Sequence, residues 1–267
     1  DSENFEYFLK GNFFGKFSKQ AFDLKNKGFC VLEINRKNWI KEIDLLRSSL
    51  ENLKEFKYNK NQNIRFQDAW KHQKLYEVRK LANEQLVLDC LKILYGREPF
   101  PFQTLNFPYG SQQHVHSDAV HFSSIPNGFM CGVWVALEDV KKESGPLIYF
   151  PFSHKSNYVT SKKLGIKYQN ILNSKYPQKE FEGYWRELIK KCSYEKKEFL
   201  ANKGEVFIWH ANLLHGGAKV LNPSLTRWSQ VTHYYFRNCH YFNPFYDCED
   251  KKSDNHLITR TPNDLTL

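Results

Sequence analysis

The sequence predicts an α+β protein with a β-sandwich or jelly-roll core, on three observations. The first third carries apolar residues at helical spacing. The middle and the end carry short aromatic and β-branched runs punctuated by glycine and proline. Aromatic residues make up 16% of the 267, with 22 Phe, 15 Tyr and 6 Trp, which suits sheets and pocket walls. Helices followed by many short strands argue for segregated helix and sheet layers.

Each element follows from its own pattern. AFDLKNKGFCVLEI reads as a helix that ends in a short strand. RKNWIKEIDLLRSSLENLKEF sets Trp39, Ile43, Leu45, Leu46, Leu50 and Leu53 on one helical stripe. KLYEVRKLANEQLVLDCLKILYG repeats that character and stops at Gly96, a helix C-cap. From about residue 98 the period shortens, and FPFQTLNFPYG, GFMCGVWVALEDV and GPLIYFPFSH read as strands. A lysine-rich insert follows at about 156–200, with a helix around FEGYWRELIKKC. Strands resume with GEVFIWH, GGAKVL and RWSQVTHYYF. The expected organisation is one domain over 1–267, helical to about 97, with a jelly-roll core over about 98–245. No internal repeat or Pro/Ser-rich linker divides it.

Composition bounds the function. No run approaches the roughly 18 apolar residues that span a bilayer. The N-terminal DSENFEYFLKGNFFGKF is too polar and acidic for a signal peptide. A soluble, cytoplasmic protein is expected. The cysteines Cys30, Cys90, Cys131, Cys192, Cys239 and Cys248 form no CxxC pair and stand in mostly apolar surroundings, so buried thiols are expected rather than disulfides or a zinc ribbon. The net charge of +10 reads as a lysine-rich solvated surface. Nucleic acid is not the expected partner, because no basic stripe alternates with stacking aromatics. A small-molecule substrate, anionic if the charge steers it, is the expected one.

Chemistry concentrates at 114–122, HVHSDAVHF, where three histidines and an aspartate fall within nine residues. On a strand, residues i and i+2 share a face, which would place His116 with Asp118 and also His114 with His116, and would turn His121 to the opposite face. One more histidine from elsewhere completes a two-His, one-carboxylate face with open positions, the set expected of non-haem Fe(II). GEVFIWHANLLHGG supplies two candidates, His210 and His215, and the glycines after His215 let backbone pass close to a site. Arg227 follows at the head of the next expected strand, and its planar fork suits a carboxylate.

Taken in order, the HxD, the WVALED strand, the GPL…PFSHK segment, the HG and the following Arg resemble the phytanoyl-CoA dioxygenase family over roughly 22–245. The resemblance implies a double-stranded β-helix core and Fe(II)/2-oxoglutarate oxygenase activity, with O2 as oxidant and hydroxylation of a small metabolite as the outcome. It implies His116, Asp118 and His215 as metal ligands and catalytic residues. It also implies Arg227 on the distal carboxylate of 2-oxoglutarate, Trp134 as a wall of the co-substrate pocket and Gln103 as a further contact. His114 and Phe152 are candidates for touching substrate. Two departures stand out: Gly217 occupies a place where a serine often adds a hydrogen bond, and Phe152 replaces a glycine in the PFSHK turn.

Other readings remain at this point. His210 is an alternative to His215, and a packed residue otherwise. His233, Tyr234, Tyr235, His240 and Tyr241 read mainly as core. A non-catalytic metal- or sugar-binding jelly roll would leave Arg227 without a purpose, as would a zinc hydrolase. A nucleic-acid-binding protein would rest on the charge alone.

Overall fold

A computed structural model describes residues 10–53, 65–248, 250 and 260–266. Its helices are α1 (Ser18–Lys27), α2 (Trp39–Glu51), α3 (Tyr76–Ala82), α4 (Gln85–Tyr95), α5 (Tyr168–Asn173) and α6 (Lys179–Cys192). Its strands are β1 (Phe29–Leu32), β2 (Phe66–Gln67), β3 (Pro99–Phe107), β4 (Ser123–Ile125), β5 (Met130–Ala136), β6 (Leu147–Tyr149), β7 (Lys197–Phe199), β8 (Val206–His210), β9 (His215–Gly217), β10 (Ser229–Phe236) and β11 (His240–Phe242). One antiparallel sheet runs β1-β8-β5-β10-β3-β2, a second runs β7-β6-β9, and β11 pairs with β4. This is the expected α+β jelly roll.

Alternation along the large sheet explains its near-continuous hydrophobic strands. Val133, Val135, Val206, Ile208, Tyr234 and Phe236 pack under α2, α3 and α4 with Ile43, Leu46, Val78 and Cys90. The intervening Trp134, Phe207, Trp209 and Val231 face Leu147 and Phe199 of the small sheet. Both faces are covered, so β5 reads MCGVWVA with no polar interruption. The inward faces of β3, β5, β8 and β10 end at the candidate site.

Several expectations shift. HVHSDAVHF is not a strand: His116 forms an isolated bridge to His215, and Asp118–Val120 is a 3-10 turn. A β-pattern argument failed there because the stretch packs through loops. The segment ending at Gly96 divides at Asn83, whose side chain donates to Arg79 O. Leu45 is 54% exposed and leaves the α2 stripe, and Leu53 is only partly buried. Of GGAKVL only the two glycines belong to β9, and Arg227 precedes β10 by two residues. β1 and β2 come from the N-terminal third yet flank the large sheet, and β7 joins the small one, so the expected boundaries at 97 and 200 do not separate layers. All six cysteines are free, with Cys30, Cys90, Cys131 and Cys248 buried but Cys192 exposed. Among the described residues no helix is long and apolar enough to cross a membrane.

The turn into β8 is tied to α2. Trp39 Nε1 donates to Gly204 O at 3.0 Å, and Gly204 holds φ +88°. A Cβ at 204 would lie 2.7 Å from Trp39 Nε1 in a backbone region that side chains rarely adopt. Gly204→Ala is expected to cost about 1–3 kcal/mol. At about 2–4 °C per kcal/mol for a chain of this size, thermal denaturation should show a fall of several degrees.

Candidate metal centre

His116 and His215 are brought face to face by backbone. His116 N donates to His215 O at 2.9 Å, and His215 N returns the bond to His116 O at 3.0 Å. Gly216 and Gly217 make this approach possible, since a Cβ at 216 would lie 2.8 Å from Gln113 O. Each imidazole places Nδ1 on a carbonyl two residues earlier, His114 O at 2.8 Å and Leu213 O at 3.0 Å. A carbonyl only accepts, so Nδ1 carries the proton and Nε2 presents its lone pair inward.

The Asp118 carboxylate and the two lone pairs converge on one space. Asp118 Oδ1 lies 3.6 Å from His116 Nε2 and Asp118 Oδ2 3.7 Å from His215 Nε2. One ligand atom from each of the three side chains falls within 4.8 Å of the others, a spacing that could hold a metal ion. Burial raises the Asp118 pKa, but His215, His233, His116 and the Trp209 indole together bring it down to about 2. Burial and the neighbouring His215 bring His116 down to about 4. The carboxylate is therefore charged and the His116 imidazole neutral near pH 7, the forms in which such groups ligate metal.

Two residues hold Asp118 that sequence reasoning had assigned to packing or passed over. Trp209 Nε1 donates to Asp118 Oδ2 at 2.8 Å. The indole lies flat on Gly132, where a Cβ would fall inside its ring. His233 bonds Gln103 Oε1 through Nδ1 at 3.0 Å and sets Nε2 3.6 Å from Asp118 Oδ2. A signal for His233 was present: Arg227, Ser229, Val231 and His233 keep the i+2 spacing of one strand face.

Arg227 is buried nearby, 3% exposed. Its Nη1 donates to Ser229 Oγ at 3.1 Å and its Nη2 to Tyr109 O at 3.3 Å, while Nε has no partner. No carboxylate forms an ion pair with it among the described residues, and the closest acid in its electrostatics, Glu138, pairs with Arg47 at 3.0 Å. Burial lowers its pKa to about 10, so it remains a cation at pH 7. Its guanidinium carbon lies 5.7 Å from the Trp134 ring and 5.9 Å from the Phe107 ring. An isolated buried cation costs several kcal/mol, which an anionic ligand would offset.

A narrow inner chamber of about 50 Å³ is lined by Arg227, Trp134, Ser111, His116, His215 and His233, among others. A larger cavity of about 680 Å³ shares His116, His233, Ser111 and Gln113 with it and adds Gln103, His114 and His121. His116, Asp118, His215, Arg227 and Trp134 are thus brought together. Gln103 lies on the larger cavity. His114 is exposed at its rim, 6.5 Å between ring centres from Tyr176. His121, expected on the opposite face, lines the same cavity because the strand does not persist there. Phe152 lines neither cavity: it is 51% exposed, and its N–H donates to Lys27 O at the end of α1. His210 also lies apart from the ligands, its ring 5.6 Å from that of His154.

A sequence model of the phytanoyl-CoA dioxygenase (PhyH) family matches residues 42–228. The chain belongs to that family. It is 30% identical over 114 residues to phytanoyl-CoA dioxygenase domain-containing protein 1 of Danio rerio, a stretch covering 41% of this chain and 34% of that protein. This PhyH chain thus spans about a third of that relative's length. Its fold is similar to that of SnoK, a non-haem α-ketoglutarate-dependent carbocyclase from nogalamycin biosynthesis, with TM-score 0.63, 15% identity and coverage of 92% and 93% of the two chains. It is also similar to EctD from S. alaskensis, with TM-score 0.63, 19% identity and coverage of 91% and 83%.

Within this PhyH chain the Trp209 indole is the link between carboxylate and sheet. Trp209→Phe keeps most of the packing but removes the N–H. The expected result is a 10–100-fold loss of Fe(II) or Co(II) affinity in an anaerobic titration, with little change in melting temperature.

Proposed function

We propose that this chain is an Fe(II)- and 2-oxoglutarate-dependent oxygenase that hydroxylates a small molecule. The observation that carries the reading is the buried, uncompensated Arg227 cation in the same chamber as His116 and His215, whose ligand atoms group with that of Asp118. A metal-binding module without a co-substrate has no use for that cation. The known EctD structure with 2-oxoglutarate supports the reading, as does the family.

The donor set fits the group. Two imidazoles and one carboxylate are a donor set that would suit Fe(II) and would leave it positions for further ligands. When bound, Fe(II) with 2-oxoglutarate supplies the oxidising chemistry: O2 is consumed, the oxo acid leaves as succinate and CO2, and one oxygen atom enters a substrate C–H bond. The chain's own residues do the rest. His116 and His215 would hold the metal through Nε2, and Asp118 through a carboxylate oxygen kept in place by Trp209. Arg227 pairs with the distal carboxylate of 2-oxoglutarate, and its free Nε–H gains a partner. Trp134 and Phe107 cover the guanidinium and keep water from competing for it.

Ser111 answers the departure at Gly217. A Cβ at 217 would lie 2.6 Å from Ser111 Oγ, so the Ser111 hydroxyl occupies the space a side chain at 217 would enter. Ser111 and Arg227 line the same chamber. The reading assigns Ser111 the hydrogen bond that a serine at 217 would make.

Anaerobic addition of Fe(II) and 2-oxoglutarate to the metal-free protein should produce a weak visible charge-transfer band that requires both. Arg227→Ala should weaken 2-oxoglutarate in that titration by about a hundredfold or more. An unchanged titration in Arg227→Ala would sink the reading. Ser111→Ala should raise the KM for 2-oxoglutarate about tenfold and leave kcat nearly unchanged, as steady-state succinate production would show.

A further inference from the structure

The larger cavity names a substrate class, an inference that rests on the oxygenase reading for what happens to the ligand but not for its binding. At about 680 Å³ it falls within the ~300–1,000 Å³ span of small-ligand sites. Five glutamines, at 67, 103, 112, 113 and 178, line its wall beside four histidines and the apolar Leu105, Phe107 and Phe122. Its charged members, Arg65 and Glu182, have opposite sign. Although the chain holds 39 Lys and Arg, no lysine lines this cavity among the described residues.

This wall discriminates. A polyphosphate or thioester nucleotide would meet Arg65 on the wall and Arg260 at 4.5 Å from the Phe122 ring, but also the Glu182 carboxylate, where each phosphate calls for charge-assisted donors of its own. An aliphatic chain would leave the buried Gln103 amide unpaired, at about 1–3 kcal/mol, and would offer nothing to the half-buried Gln113 and Gln178. The amides are oriented for a ligand that donates and accepts. Gln103 engages His233 through Oε1 at 3.0 Å, which leaves its N–H groups without a partner on the sheet side. Gln178 engages the His121 ring through Nε2 at 3.0 Å, which leaves its carbonyl oxygen as an acceptor on the insert side. Hydroxyl groups complement both. Phe122 and Tyr176 add apolar ring faces to the same wall, and the Tyr176 hydroxyl is held by Glu182. Alternating hydroxyls over a C–H face are the signature of a sugar ring.

We infer that the substrate is a neutral, polyhydroxylated small molecule of the sugar or glycoside class, held by the glutamine amides above the metal. The test is saturation-transfer NMR on the metal-free full chain. The probes are a panel of methyl glycosides of common hexoses and pentoses, with acetyl-CoA as the contrasting anion. The expected result is saturable transfer to the ring protons of at least one glycoside. Its affinity should fall about tenfold in Gln178→Leu and in Gln67→Leu, a side chain exposed enough to replace without loss of fold. Unchanged melting temperatures in both variants tie the loss to binding. No binding by any glycoside overturns the inference, as does saturable acetyl-CoA binding that Arg65→Ala abolishes. The two readings fail separately. Glycoside binding without the Fe(II)/2-oxoglutarate band keeps the substrate class and removes the oxygenase, whereas the band without glycoside binding removes the substrate class alone.

Discussion

Two backbone hydrogen bonds, from His116 to His215 and back, are the constraint on which the rest of the site depends. They set two imidazoles 4.4 Å apart between ring centres before any metal arrives. They also dictate glycine at 216 and 217, because the strand that carries His215 must run against the backbone of 112–114. Ser117 and Asn212 buttress the arrangement. Ser117 Oγ donates to Ala211 O and to Asn212 Oδ1, both at 3.1 Å, and the Asn212 amide reaches Ser156 O at 2.7 Å. Ligand geometry is thus a property of main chain and buried polar contacts. It does not depend on long side chains finding one rotamer, which keeps the entropic cost of assembly low.

Electrostatics in the chamber are arranged by burial rather than by pairing. Asp118 keeps its charge because imidazoles and an indole face it, and Arg227 keeps its charge without a carboxylate beside it. A structural core would have matched such an arginine with an acid or replaced it with an apolar residue. Retaining it unmatched stores a cost that ligand binding recovers.

Much of this was legible in the sequence, and for identifiable reasons. Helix α4 ending at Gly96, the strands β3, β5, β8 and β10, and the helix α6 in the insert follow from local period and capping. The grouping of the candidate ligands was legible because His116 and Asp118 stand two apart and His215 precedes two glycines. The form of that stretch was not, since its backbone pairs only once and then turns. Trp209 and His233 escaped because a tryptophan or histidine in an apolar run looks like packing until its polar atom is located. Ser111 escaped because its role depends on an absent side chain a hundred residues away. Phe152 was misplaced because a turn seen in one dimension carries no sign of which end of the barrel it closes.

The origin of the cavity walls has an evolutionary consequence. The ligands and the arginine are carried by the sheet and its tightest loops, where a change in one residue strains several others. Tyr176, Gln178 and Glu182 come instead from the insert, and Gln67 from a two-residue strand at the edge of the large sheet. Substitutions in those peripheral segments can retune what is recognised without disturbing the backbone that groups His116, Asp118 and His215. A lineage built this way can acquire new substrates by exchanging its insert, and two descendants can diverge in diet while sharing one reaction.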